Sequence, residues 1–243
     1  MSEKKPSRGN LTYSTIRRLC WIYHKLSTRA VFLHSDRVPA TGANLIVANH
    51  QSFLDPPLIG CDITQRDITY LARASLFKNP ILGAILKRIN VVPIRDGEGD
   101  VQAIRDIIER LNKGETVLIF PEGSRTYDGQ MVPFRDGASL IMRRAKCPVI
   151  PVAVEGAFDA WPRTEKLPRR GGRTMVMFGH PIPFEQLKGR DANAKLQREI
   201  DTMRLQLRKE LRRKSGGKYP PKGLGDYAFG SAEASAGSAS SAG

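Results

Sequence analysis

His50 and Asp55 stand five residues apart in the stretch Asn49-His50-Gln51-Ser52-Phe53-Leu54-Asp55, and an imidazole beside a carboxylate makes a base. The apolar run Leu45-Ile46-Val47-Ala48 comes immediately before them and reads as a buried strand. His50 then falls at the strand's end, where the chain turns. Asp55 is followed by Pro56 and Pro57, and a residue before proline is driven out of the helical region. That predicts Asp55 as the N-cap of a helix with Pro56 at its first position. Strand, turn and helix start would bring the two side chains to one surface. A carboxylate on one ring nitrogen fixes the tautomer and stabilises the imidazolium formed when the other nitrogen takes a proton. Taken singly, His50 also reads as an ordinary strand-end histidine, and Asp55 as a simple helix cap.

A second block, Phe120-Pro121-Glu122-Gly123-Ser124-Arg125, follows the apolar run Thr116 to Ile119. Here too a strand ends in a turn. Gly123 supplies conformational freedom, and Arg125 brings a planar fork suited to phosphate. A third run, Asn90-Val91-Val92-Pro93-Ile94, ends in Arg95, a further phosphate candidate. A fourth, Val149-Ile150-Pro151-Val152-Ala153-Val154, is apolar throughout and predicts a core strand lining the site. These segments would share one active face. The chain has no Gly-x-Ser-x-Gly elbow, no His-Glu-x-x-His, no P-loop and no complete Gly-x-Gly-x-x-Gly. With no activated side-chain nucleophile in view, the base would act on a hydroxyl of the substrate.

In this order, the blocks Asn49–Asp55, Gly83–Arg95, Phe120–Arg125 and Val149–Val154 resemble those of the glycerolipid acyltransferase family, its bacterial 1-acylglycerol-3-phosphate branch above all. The likeness runs over about residues 15–185 and includes Leu76-Phe77-Lys78 and Phe178-Gly179-His180-Pro181-Ile182. It implies O-acyl transfer from an acyl thioester to the free hydroxyl of 1-acylglycerol 3-phosphate, giving phosphatidate. His50 would be the general base and Asp55 its orienting acid. Arg125, with Glu122 and Gly123, would hold the acceptor phosphate, and Arg95 would be a second contact. Backbone N–H groups at the helix start after Asp55 would be candidates for the oxyanion. No bound cofactor and no metal are implied, because acyl-CoA or acyl carrier protein enters as donor. Thiolates leave readily, since a free thiol has a pKa of ~8.5. Other lysophospholipids or glycerol 3-phosphate remain open as acceptors, as does a non-catalytic membrane-binding module that keeps the fold. Two departures stand out: Asp136 in Phe134-Arg135-Asp136-Gly137 where the family commonly has a basic residue, and Ser124 where threonine is common.

The elements that must position these residues alternate along the chain. Strands are expected at Leu45–Ala48, Ile68–Ala72, Val91–Ile94, Val117–Phe120, Val149–Val154 and Thr174–Phe178. Between them fall helices beginning at Pro57, over Ser75–Arg88 with Ser75 as cap, from an Asp100 cap to Asn112, and over Ala138–Ala145. Gly114 stops the third of these, whose buried face is Ile104, Ile107, Ile108 and Leu111. A long helix over Ala192–Lys214 closes the series. Such alternation predicts an α/β layered fold with a largely parallel central sheet.

Residues 1–38 form an N-terminal basic segment in which Leu11, Leu19, Ile22 and Leu26 share one helical face beside Trp21, Arg17, Arg18 and Lys25. That is the profile of an interfacial helix meeting anionic lipid. Residues 39–214 would be the catalytic domain, and 215–243 a flexible Gly/Ser/Ala-rich tail. The chain has 243 residues, enough for one domain with appendages, and carries a formal charge of +15. Such charge favours acidic partners: an anionic membrane surface, coenzyme A or acyl carrier protein. Nucleic acid is not expected, because no binding motif or aromatic platform accompanies the basic residues. The cluster Arg204, Arg208, Lys209, Arg212, Arg213 and Lys214 reads as a solvated helix face, or as a dock for acidic lipid or carrier protein. Cys20, Cys61 and Cys147 have no paired spacing and suit a reducing setting. No signal peptide and no spanning helix are expected, so the protein would sit at the cytoplasmic face of a membrane.

Overall fold

Strands in which every residue is buried need cover on both faces. Among the described residues three segments meet that description: β2 (Asn44–Ala48), β5 (Thr116–Ile119) and β6 (Val149–Glu155). The computed structural model describes residues 11–94, 99–187, 189 and 191–231. In it the three strands lie in a five-stranded sheet with β1 (Val31–Leu33) and β7 (Met175–Phe178), in the order β1-β7-β6-β2-β5. The pairs β1–β7, β6–β2 and β2–β5 are parallel, and only β6–β7 is antiparallel. A second parallel pair, β3 (Tyr70–Arg73) and β4 (Val91–Ile94), joins through a bridge between Thr69 and Val117.

Side chains alternate across a strand, so each central strand feeds two cores. Leu45, Val47, Val117, Ile119 and Ala153 face α4 (Gly99–Asn112), α5 (Asp136–Ala145) and α7 (Ala192–Lys214). Ile46, Ala48, Leu118, Val152 and Val154 face α2 (Asp55–Gly60) and α6 (Ala157–Ala160). The expected stripe Leu196, Ile200, Met203, Leu207 and Leu211 is buried along α7. Gly114 ends α4 in the left-handed region, at φ 83°.

Four expectations need correction. The helix expected over Ser75–Arg88 is broken: a 3-10 turn covers Ala74–Lys78, and α3 runs over Pro80–Arg88. Pro80 lacks an N–H and keeps Asn79 extended. The Asn79 carboxamide oxygen instead accepts from the Ile81 and Leu82 N–H groups and becomes the cap. The N-terminal segment does not stop at residue 38 as a separate unit, because β1 belongs to the central sheet; its α-helix among the described residues is α1 (Leu11–Ser27). Of the tail expected over 215–243, residues 232–243 lie outside the described residues, and residues 215–231 cross α7 and are held there by arginine side chains. The α7 basic cluster is accordingly a solvated face only in part: Lys209, Arg213 and Lys214 are exposed, whereas Arg204 and Arg208 are buried. Arg204 is 0% exposed and donates to the Gly225 and Tyr227 carbonyls. Arg208 reaches the Pro221 carbonyl, Arg212 the Pro220 carbonyl, and both pair with Asp226. Among the described residues no helix is long and apolar enough to cross a membrane.

Candidate active site

Because β2 and β5 are adjacent and parallel, the turns at their C-terminal ends meet. His50 leaves β2 with its N–H donating to Glu122 Oε1 at 2.7 Å, and its carbonyl accepting from the Thr126 N–H at 2.9 Å. Asn49 extends the β2–β6 pairing with its side chain, donating to the Val154 carbonyl and accepting from the Val154 N–H. The backbone at His50 is therefore clamped from both neighbouring strands.

The imidazole and the carboxylate meet as expected. His50 Nδ1 lies 2.7 Å from Asp55 Oδ2, with the imidazole side chain 18% exposed and the carboxylate 0% exposed. The ring stacks on Phe120, with centroids 4.1 Å apart and planes at 21°. With Nδ1 committed to Asp55, Nε2 is the nitrogen left to take a substrate proton. Asp55 is not the N-cap of α2. Its Oδ2 reaches back to the turn before it, accepting from the Gln51 and Ser52 N–H groups at 2.6 and 2.7 Å. Those N–H groups face the carboxylate because the 50–55 turn is tight, whereas α2 opens on two prolines that have no N–H to cap. The same two prolines remove the oxyanion donors expected at the helix start. The first N–H beyond them, that of Leu58, is spent on the Leu54 carbonyl.

Glu122 and Gly123 are placed differently from expectation. Glu122 is 3% exposed, and its carboxylate accepts from the His50 and Val132 N–H groups. It braces the turn that begins at His50. Gly123 has φ 71°, and its N–H bonds the Phe120 carbonyl within the turn. A Cβ at Gly123 would overlap the Arg135 guanidinium, which lies across the loop. Asp136 sits in the first turn of α5, where a carboxylate suits the positive end of the helix, and Arg135 supplies the basic group beside the loop.

Burial pushes the Glu122 carboxyl from the usual 4.5 up to about 8, against the lowering effect of its two backbone donors. The folded protein therefore holds a proton that the unfolded chain releases above about 4.5. The stability this group contributes is full below that pH and falls as pH rises through about 8. Urea unfolding at pH 5 to 8 should show a declining free energy relative to Glu122→Gln, which lacks the titrating group. A difference between the two proteins that does not change with pH would contradict this reading.

Arg125 lies over the ring of Phe53, a residue of the His50–Asp55 turn, at 3.5 Å. Its Nη1 is buried with no hydrogen-bond partner. Desolvation lowers its pKa, followed by the nearby Arg163, and Asp55 acts in the opposite sense. Arg95 lies outside the described residues. A cleft of about 540 Å³ along α3, lined by Phe77, Pro80, Gly83, Ala84, Lys87, Arg88 and Asn90, shares no residue with this centre. Three contributors were not visible in the sequence. Glu122 as a brace and Gln51 as a link are defined by partners far along the chain: Gln51 Nε2 donates to Glu155 at 3.1 Å, across 104 positions. Arg163 is the third, with no motif around it.

Comparison with known proteins agrees with this geometry. The family described as Acyltransferase matches residues 30–155. A Bacillus subtilis protein named 1-acyl-sn-glycerol-3-phosphate acyltransferase is 30% identical over 149 residues, covering 61% of this chain and 71% of that protein. A Streptococcus pneumoniae protein of the same name is 28% identical over 194 residues, covering 77% and 69%. The chain spans 40% of the length of a chloroplastic relative of that activity from Brassica napus, at 30% identity. The fold matches the crystal structure of the 1-acyl-sn-glycerophosphate acyltransferase PlsC from Thermotoga maritima, with a TM-score of 0.71 and 23% identity, over 80% of this chain and 79% of that one.

Proposed function

This chain belongs to the acyltransferase family, and from that premise we propose that it moves a fatty acyl group from an acyl thioester to the free hydroxyl of 1-acylglycerol 3-phosphate, making phosphatidate. His50 Nε2 takes the hydroxyl proton as the oxygen attacks the thioester carbonyl carbon. The tetrahedral intermediate collapses with cleavage of the carbon–sulfur bond. The departing thiolate receives the proton from the imidazolium, so the enzyme is restored without a covalent intermediate. Asp55 keeps Nδ1 protonated and stabilises the transient cation. Arg125 binds the acceptor's phosphate. The donor is acyl-CoA or acyl-acyl carrier protein, and the net positive charge suits either.

One observation supports this reading above the others: Nδ1–Oδ2 contact at 2.7 Å, with a fully buried carboxylate held by two backbone N–H groups. Such an arrangement has a cost that a mere binding module has no reason to carry. The test is transfer of radiolabelled acyl groups from acyl-CoA and from acyl carrier protein to lysophosphatidate, with phosphatidate as the expected product. A purified protein inactive with both donors on every lysolipid tried would instead favour a non-catalytic membrane-binding module.

The lipid substrates are met by peripheral contact with an anionic membrane surface, at its cytoplasmic face. α1 leaves Leu11, Leu19, Ile22 and Leu26 exposed, and no acidic residue occurs between Leu11 and Ser35. α3 exposes Ile81, Leu82 and Ile85, likewise without an acidic residue from Arg73 to Ile94. Deleting the whole N-terminal segment is not a clean test, since Tyr13 and His24 are buried and β1 is a sheet strand. The triple change Leu19→Ser, Ile22→Ser and Leu26→Ser leaves those anchors alone. It should weaken binding to anionic vesicles by about tenfold or more, given ~25 cal/mol per Å² of apolar surface buried. Sedimentation with vesicles measures it, and undiminished binding would remove α1 from the interface.

A further inference from the structure

We propose that Arg163 is a second guanidinium of the acceptor-phosphate site, acting beside Arg125, and that it sets the preference for phosphate-bearing acceptors. This rests on the acyltransferase reading above and adds to it a residue lying beyond the family match at 30–155.

The segment after α6 is tied to the catalytic turn. Ser52 Oγ donates to the Trp161 carbonyl at 2.8 Å, and the Trp161 ring packs on Phe53 with centroids 5.7 Å apart. Two residues later, Arg163 Nη1 donates to the Arg125 carbonyl at 3.0 Å. Its guanidinium lies over Tyr127, 3.7 Å from the ring centroid. The two arginines are thus each seated on an aromatic ring beside the 50–55 turn, Arg125 on Phe53 and Arg163 on Tyr127. Among the described residues neither makes an ion pair. Glu165, the carboxylate closest in sequence, is engaged by Arg169 at 3.1 Å.

Two neighbouring cations repel each other, and Asp55, which acts on Arg125 in the opposite sense, is taken up by His50 Nδ1 and the Gln51 and Ser52 N–H groups. Arg163 is among the causes that lower the Arg125 pKa. The arrangement persists because the rings and the backbone bond hold it, and what it lacks is an anion. A guanidinium has five N–H donors, of which Arg163 uses one on the Arg125 carbonyl. Arg125 adds the buried, unpartnered Nη1. A phosphate monoester, with three oxygens and close to two negative charges, fits such a paired fork better than an uncharged acceptor does. The shared chemistry is phosphate, which both the acceptor and coenzyme A carry. Adjacency to Phe53 and the 50–55 turn places the pair beside the hydroxyl to be acylated, and so favours the acceptor.

The experiment is steady-state kinetics of wild type, Arg163→Ala and Arg163→Lys on lysophosphatidate, on a 1-monoacylglycerol and on acyl-CoA. Arg163→Ala should raise KM for lysophosphatidate about tenfold or more relative to KM for the monoacylglycerol, as expected for loss of a charged hydrogen bond. Arg163→Lys should recover part of that difference, because it keeps the charge and loses the fork. A lysophosphatidate KM within twofold of wild type in both variants would overturn the proposal. So would equal losses on both acceptors, which mark a structural role, or a change confined to acyl-CoA, which marks a donor contact. Should Arg163→Ala unfold, Arg163→Lys and Arg163→Gln carry the same comparison, since their side chains still cover Tyr127. A wild type that acylates no phosphate-bearing acceptor would instead overturn the acyltransferase reading itself.

Discussion

Replacing His50 with alanine should lower kcat for acyl transfer by about 10³-fold, within the 10²–10⁴ range of a positioned acid–base group. The size follows from the arrangement, in which Nδ1 is pinned to Asp55 Oδ2 at 2.7 Å and leaves Nε2 for the acceptor hydroxyl. Without the imidazole the attacking oxygen must lose its proton to water, while bound substrates stay in place. KM values should therefore change little. Asp55→Asn should lose comparable activity, because a neutral amide does not stabilise the imidazolium, and stability as well: with its oxygen kept on the Gln51 and Ser52 N–H groups, its NH2 takes the buried Oδ1 position, which has no hydrogen-bond partner. Measuring kcat at saturating donor and acceptor, beside thermal unfolding, separates the two effects. A folded His50→Ala protein retaining more than about a tenth of wild-type kcat would remove the imidazole from the mechanism.

Glu155→Ala should cost about 3–5 kcal/mol of unfolding free energy, out of a total of about 5–15 for a domain of this kind. Glu155 ends β6 with a fully buried carboxylate, 2.6 Å from Arg208 and 3.5 Å from Arg204. Removing it strands two buried guanidinium groups, and Asp201, Asp159 and Asp226 answer only part of that charge. The residue 215–231 segment hangs on the same arginines, through the Gly225, Tyr227 and Pro221 carbonyls. Glu155 also accepts from Gln51, whose N–H bonds Asp55. The substitution should therefore lower kcat too, by a smaller factor than His50→Ala. Urea unfolding with parallel kinetics provides the check. A loss of stability below about 1 kcal/mol would show that the network is dispensable.

Much of the molecule is written in short stretches of the chain. The apolar runs at 45–48, 117–119 and 149–154 mark the central strands because a strand covered on both faces tolerates few polar residues. The spacing of His50 and Asp55 marks the dyad because one tight turn suffices to join them. The break at Asn79-Pro80 was missed, although proline does not let the helix run through it. Arg125 comes beside the 50–55 turn because its block ends a strand adjacent to β2.

Other features depend on partners far away in sequence, where local pattern carries no information. Glu122 looks like part of a phosphate loop, yet its carboxylate turns inward to a backbone N–H 72 residues earlier. Arg204 and Arg208 look like a solvated helix face. What buries them is a carboxylate on β6, separated by 49 and 53 positions, and a chain segment that follows the helix. Arg163 has no distinguishing neighbours and acquires meaning only where folding sets it against Arg125 and Tyr127. Hydropathy and spacing report how a residue relates to the next few along the chain, so the sequence alone determined the strands, the turn and the dyad. Whether a charge is buried, paired or left open to a ligand is a matter of three-dimensional neighbours, because desolvation and Coulomb energies depend on distance in space; only the tertiary structure decided that.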